Sequence, residues 1–178
     1  MRNDVIISGF GGQGVLLAGK LLAWAGMLGG KFVTWFPSYG AEMRGGTANC
    51  TVIISDEEIG SPVVDNPGAL IAMNEASAVK FSGSVGRGGF IILNSSLVKE
   101  EIKKPGRKVY KVPANEIAGE IGNPRVVNMV MLGAYLKVSG AASIGQITRA
   151  LQESLPSRNR HLLDANLSAL EKGFSQVG

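Results

Sequence analysis

Short apolar runs alternate along the chain with longer segments whose apolar residues recur at helical spacing. Asp4–Ser8 reads as a buried strand. Gly14–Met27 reads as a helix so poor in charge that it is expected to be packed on both sides, ending at Gly29-Gly30. Lys31–Trp35 predicts a second strand. Pro37–Gly46 fits neither element, because Pro37, Gly40, Gly45 and Gly46 fall within it. Asn49–Ser55 predicts a third strand, followed by a polar turn at Asp56-Glu57-Glu58 and a proline-containing loop over Ser61–Gly68. Ala69–Asn74 reads as a fourth strand, Glu75–Phe81 as a short helix and Phe90–Asn94 as a fifth strand. Lys108–Val112 alternates like an edge strand.

From Ala114 onward the pattern is helical: Asn115–Ile121, the apolar Asn128–Val138, the amphipathic Ser143–Leu155 and Arg160–Phe174. Ser143 has the chemistry of an N-cap and Pro156 that of a stop. Apolar strands alternating with helices predict an α/β fold: a doubly wound, mainly parallel, Rossmann-like sheet with a helical C-terminal third. With 178 residues and no linker, repeat or low-complexity tract, residues 1–178 are expected to form a single domain.

Composition narrows the function. The net charge of +4 is modest. The basic cluster of Lys99, Lys103, Lys104, Arg107, Lys108 and Lys111 lacks the interleaved aromatics of a nucleic-acid module, so it reads as a solvated loop and no nucleic-acid partner is expected. No apolar run reaches the roughly 18 residues of a membrane span. Asp4 and a glycine loop stand where a signal peptide would be apolar, so a cytoplasmic protein without membrane contact is expected. Cys50 is the single cysteine and His161 the single histidine. A disulfide framework, a zinc site or an iron–sulfur site held by this chain alone is thereby excluded. Cys50 is expected to be a buried apolar residue, and His161 with Asp164 a surface or core-edge pair.

The chemistry concentrates in two glycine-rich segments. Gly9-Phe10-Gly11-Gly12-Gln13-Gly14 is G-x-G-x-x-G between a predicted strand and a predicted helix, where tight turning and free helix N-terminal amides create an anion site. A dinucleotide site also needs an acidic residue about 20 positions on to hold the ribose. No Asp or Glu occurs between Asp4 and Glu42. That omission disfavours NAD or NADP, although a stand-alone NAD(P)-binding oxidoreductase stays open as an alternative. A P-loop lacks its G-K-[ST]. The remaining readings are a turn needed only for packing and an anion-binding loop. The second segment, Pro37–Thr47, carries Arg44 beside Gly45 and Gly46, which suits a phosphate or carboxylate clamp. Equally, Glu42 and Arg44 suit an interface. Both segments are expected at the carboxyl edge of the sheet, facing one another.

G-F-G-G-Q-G-V at Gly9–Val15, P-S-Y-G-A-E-M-R-G-G at Pro37–Gly46 and N-M-V-x-L-G at Asn128–Gly133 resemble, in that order, the gamma subunit of 2-oxoacid:ferredoxin oxidoreductases. The wording around Trp35–Gly40 and Thr47–Cys50 is most similar to the 2-oxoglutarate or 2-oxoisovalerate enzymes, with 2-oxoglutarate favoured. Indolepyruvate enzymes, by contrast, carry a histidine before R-G-G that is absent here. The resemblance implies a complex that oxidatively decarboxylates a 2-oxoacid to its acyl-CoA and reduces ferredoxin. It implies thiamine diphosphate, Mg²⁺ and an iron–sulfur cluster in partner chains, with alpha and beta subunits and a ferredoxin-like delta subunit as partners.

On this resemblance the chain holds no catalytic residue and no metal, and binds no cofactor by itself. Gly9, Gly11, Gly12, Gln13, Gly14, Arg44, Gly45 and Gly46 would then line the coenzyme A side or a subunit interface. A pure assembly module is the third class of function. Met129, Met131, Leu132 and Tyr135 are expected in the core or at a subunit contact. Apolar surface meant for partners leaves room for a homodimer of the isolated chain.

Overall fold

The computed structural model describes residues 1–39, 47–155 and 157–177. Its elements run β1 (Arg2–Phe10), α1 (Val15–Leu28), β2 (Phe32–Tyr39), β3 (Thr47–Ser55), β4 (Ala69–Ala72), α2 (Glu75–Phe81), β5 (Phe90–Asn94), β6 (Lys108–Val112), α3 (Ala114–Glu120), α4 (Val127–Ser139), α5 (Ile144–Ser154) and α6 (Leu163–Ser175). Short 3₁₀ turns at Pro124–Val126 and Ser157–Leu162 lead into α4 and α6.

The strands form one sheet in the order β2-β3-β1-β4-β5-β6. β1–β4, β4–β5 and β5–β6 are parallel. β3 is antiparallel to both neighbours. The predicted α/β sheet with a helical C-terminal third is present, but one side is a hairpin rather than a second βαβ unit. The reason is the short β2–β3 connection, which leaves no room for a crossover helix. β2 nevertheless runs in the same direction as β1. Its carboxyl end therefore opens on the same edge of the sheet.

Several boundaries differ from expectation for identifiable reasons. Pro37 and Ser38, assigned above to an irregular segment, continue β2 to Tyr39. β2 is an edge strand, where a missing proline N–H costs no ladder bond if it faces outward. β4 stops at Ala72 because Asn74 turns to cap α2, its Oδ1 accepting the Ser77 N–H at 2.9 Å. The last helix begins at Leu163, so His161 lies in the preceding 3₁₀ turn. Pro156 lies outside the described residues. Ser143 caps α5 as expected, and Gln146 completes a capping box.

Alternation along each strand separates two cores. On one face Val5, Ile7, Cys50, Val52, Ile54 and Ile71 pack under α1, α4 and their neighbours. On the other Ile6, Leu70, Ala72, Ile91 and Leu93 pack with Ala78 of α2, Val85 and Val98. α4 is buried from Val127 to Leu136, so Met129, Met131, Leu132 and Tyr135 are core residues. Phe90 stacks on Tyr135 at 5.9 Å and meets Tyr110 edge-on at 6.3 Å. α1 is not packed all round: Leu17 is 43% and Met27 65% exposed. Its sheet face is dictated by small residues, since a side chain on Gly19 would run into Cys50 and Trp35.

Candidate functional site

β1, β2, β4, β5 and β6 all end on one edge of the sheet, and β3 starts there. The glycine loop Phe10–Gly14 leaves β1 on that edge and turns at once into α1. Gly12 and Gly14 have φ of 94° and 74°, a left-handed backbone that suits glycine. Gly9 sits where β1, β4 and α1 converge. A Cβ there would stand 2.6 Å from Gln13 Oε1 and 2.9 Å from both Met73 Cβ and Val15 Cγ2. The tight strand-to-helix turn is thus forced by sterics at both of its ends.

The loop presents donors. Gly14 is the N-cap of α1 and makes no side-chain cap bond, and no acidic residue occupies the first turn. The first amides of α1 therefore point out of the helix without a partner among the described residues. Within the loop, Gln13 N–H donates to Phe10 O at 3.1 Å. The amides of Gly11 and Gly12 meet no acceptor among the described residues. Phe10, Gly11 and Gly12 are exposed. A strand end with free amides and a helix N-terminus behind it attracts anions.

Side-chain amides lace this edge together. Gln13 Oε1 accepts from Phe10 N–H at 2.7 Å and from Asn74 Nδ2 at 3.0 Å. Asn94 Nδ2 donates to Met73 O at 3.1 Å and to Asn115 Oδ1 at 2.8 Å. Asn128, at the start of α4, donates from Nδ2 to Gly14 O at 3.2 Å, while its buried Oδ1 meets no partner among the described residues. Ser8 and Ser77 share a buried hydroxyl bond of 2.9 Å. The ends of β1, β4 and β5 are each tied to a neighbouring element by an amide or hydroxyl. Asn74, Asn94, Asn115 and Asn128 were not read as site residues from the sequence, although Asn128 opens the N-M-V-x-L-G motif. The available signal was an asparagine closing an apolar strand in ALIAMN and FIILN, the wording of a strand end followed by a cap.

The five glycine-loop residues picked out from the sequence, Gly9, Gly11, Gly12, Gln13 and Gly14, are therefore brought together on this edge. Arg44, Gly45 and Gly46 lie outside the described residues. The register still fixes where their segment departs and returns. Tyr39 and Gly9 both stand opposite Ala48, so the β2–β3 connection starts across β3 from the glycine loop.

Other candidates resolve simply. Cys50 is fully buried, and burial pushes its thiol up to about 12 against a smaller opposing pull from the Trp35 ring N–H. Arg107, part of the basic cluster, donates to the carbonyls of Val85 and Gly83 and so holds a loop. Among the described residues no cluster of three or more His, Cys, Asp or Glu could hold a metal ion. Among the described residues no helix is long and apolar enough to cross a membrane.

The profile of the family described as pyruvate ferredoxin/flavodoxin oxidoreductase matches residues 4–176. The chain belongs to this family. Within it, the chain is 41% identical over 169 residues to the ketoisovalerate oxidoreductase subunit VorA of Methanothermobacter marburgensis, a match covering 95% of this chain and 35% of the relative. It is 35% identical over 177 residues to the 2-oxoglutarate synthase subunit KorC of Methanocaldococcus jannaschii, covering 98% and 93%. The chain thus spans about a third of the length of the VorA relatives it matches and nearly all of the KorC subunit. Among solved structures, the gamma subunit of a keto/oxoacid ferredoxin oxidoreductase from Geobacter sulfurreducens superimposes with a TM-score of 0.83 at 29% identity, covering 98% of this chain and 97% of that one. The 2-oxoglutarate:ferredoxin oxidoreductase of Magnetococcus marinus, solved with 2-oxoglutarate, coenzyme A and succinyl-CoA bound, shares the fold with a TM-score of 0.89 at 24% identity, over 98% of this chain and 31% of that one. The doubly wound α/β architecture is thus the family's own.

Proposed function

We propose that this chain is the gamma-type subunit of a 2-oxoacid:ferredoxin oxidoreductase and that its glycine-loop edge borders the route of coenzyme A. The observation that carries this is the glycine loop: amides of Gly11 and Gly12 with no acceptor among the described residues, beside an N-terminus of α1 that lacks a side-chain cap, on the edge where the Arg44 segment also departs. Coenzyme A is rich in phosphate and carbonyl acceptors, which such donors select. The coenzyme A bound in the Magnetococcus marinus enzyme supports this choice of ligand.

The chemistry itself belongs to partner chains. A cluster held by four thiolates does not fit a chain with one cysteine, and the described residues bring no three His, Cys, Asp or Glu together. Thiamine diphosphate, Mg²⁺ and iron–sulfur clusters, with the alpha, beta and delta subunits that would carry them, therefore enter as partners of this chain. Nearly full-length correspondence with KorC favours 2-oxoglutarate as the acid. The higher identity to VorA supports the branched-chain 2-oxoisovalerate reading as the second choice.

The test is kinetic, in the complex assembled with its partner subunits. Arg44→Ala should raise the KM for coenzyme A at least several-fold and leave the KM for the 2-oxoacid unchanged. An unchanged KM for coenzyme A with normal assembly would reduce the edge to a subunit contact. Comparing 2-oxoglutarate with 2-oxoisovalerate in the same assay decides the acid.

A further inference from the structure

Gln13 has one carbonyl oxygen, and two donors occupy it: the Phe10 N–H at 2.7 Å and Asn74 Nδ2 at 3.0 Å. Asn74 is 3% exposed and has no freedom to turn its amide over. Its Oδ1 is committed to the Ser77 N–H as the cap of α2, so its Nδ2 must face Gln13. Gln13 must then present oxygen inward and its Nε2 away from the clamp, where it makes no bond to a described residue. Between Phe10 and Gln13 only Gly11 and Gly12 intervene, and a Cβ on Gly12 would meet nothing within 4 Å. Packing fixes the loop at Gly9 and Gly14 but not at Gly12; between them its shape is set by the Gln13 N–H bond to Phe10 O and by the Gln13 side-chain clamp.

We propose that Asn74 is a positioning residue: by fixing the orientation of the Gln13 amide it shapes the glycine loop and adds Nε2 to its row of donors, making a site for an acceptor-only group such as a phosphate or an amide carbonyl. Naming coenzyme A as the carrier of that group rests on the function proposed above. α2 is the anchor on the other side. Ser77 takes the buried hydroxyl bond with Ser8 of β1, and Glu75 accepts the Lys99 N–H at 3.0 Å. The loop is thus referenced to the sheet and to α2 through one buried side chain.

Three variants in the assembled complex test this. Asn74→Asp keeps a good N-cap but sets a carboxylate oxygen against Gln13 Oε1. The Gln13 amide must flip, releasing Phe10 N–H and turning an acceptor outward. Asn74→Ser keeps the cap and removes the clamp. Gln13→Glu keeps the clamp and replaces the outward donor by an anionic oxygen.

Amide hydrogen exchange is the first readout. Both Asn74 variants should speed exchange over Phe10–Gly14 while α2 stays protected, and Gln13→Glu should not. Unchanged exchange in the Asn74 variants overturns the clamp whatever the kinetics show. Kinetics is the second readout. All three variants should raise the KM for coenzyme A roughly three- to tenfold, the span of one lost hydrogen bond, with kcat at saturation preserved. On a Gln13→Ala background Asn74→Asp should add nothing further, whereas additive effects would overturn action through Gln13. Faster exchange with an unchanged KM in every variant would uphold the clamp and refute coenzyme A as the ligand.

Discussion

Asn128 of α4 reaches across to the first residue before α1, donating from Nδ2 to the carbonyl of Gly14 at 3.2 Å. That carbonyl also accepts the first intrahelical bond of α1, from Ala18 N–H at 3.0 Å. A Cβ on Gly14 would stand 2.5 Å from Asn128 Nδ2, in a backbone already left-handed at φ 74°. Two helices that are far apart in sequence are thus fitted to each other through an atom glycine lacks. Gly14→Ala should destabilise the chain by about 3 kcal/mol, combining left-handed strain with the clash. Asn128→Ala should cost only about 1 kcal/mol, because it deletes an unpaired Oδ1 along with the useful donor. Made together, the two should cost less than their sum, since only the looser 3.2 Å contact with the Cβ at position 128 then remains. Urea unfolding of the four chains checks the cycle, and strict additivity would contradict the contact.

α4 and α6 cross at a reciprocal glycine contact. A side chain on Gly133 would collide with the Leu170 carbonyl, and one on Gly173 with the Val130 carbonyl. Backbone cannot move aside as a flexible side chain does. Gly133→Ala and Gly173→Ala should each lower stability by about 3 kcal/mol or prevent folding. Gly60→Ala, in open space, is the control and should leave the melting temperature nearly unchanged.

Alkaline pH should expose Cys50. Burial raises its folded-state pKa to about 12, well above the roughly 8.5 of an unfolded thiol. Folding therefore favours the protonated form. Its contribution is complete below about pH 8.5 and is lost as pH climbs toward 12, at up to about 1.4 kcal/mol per unit. Tyr135 is also raised by burial, but an unfolded phenol titrates only near 10. The urea midpoint should consequently fall between pH 8.5 and 10 in the natural chain and fall less in Cys50→Ala. Equal slopes would refute the assignment.

Purified by itself, the chain should show no 2-oxoacid-dependent reduction of a viologen dye, with or without added thiamine diphosphate, Mg²⁺ and coenzyme A. Sustained turnover by the isolated chain would place the chemistry here and overturn the subunit reading.

The elements were legible in the sequence wherever a hydrophobic period was long. α4, α5 and every strand core were placed by pattern, and Ser143 by its capping chemistry. Pattern failed where a neighbour decides. Pro37 reads as a breaker, yet it sits in β2 because that strand has an open side. Asn74 reads as the end of a strand, yet the Ser77 amide makes it a cap. Leu17 and Met27 read as buried, yet α1 has an open flank. Periodicity reports how apolar a face is and not what stands opposite it.

By itself the sequence determined the glycine loop between strand and helix, the missing ribose-binding acid, and a cysteine and histidine supply too small for a cluster. Those are local or compositional properties, and one chain carries them in full. The tertiary structure alone decided that β3 runs antiparallel, that Tyr39 and Gly9 share Ala48 as a partner, and that Asn74 and Asn128 bond to the loop from the N-cap of α2 and from α4. Such relationships join residues from 9 to more than 100 positions apart, and only the closing of the sheet brings them into register and contact.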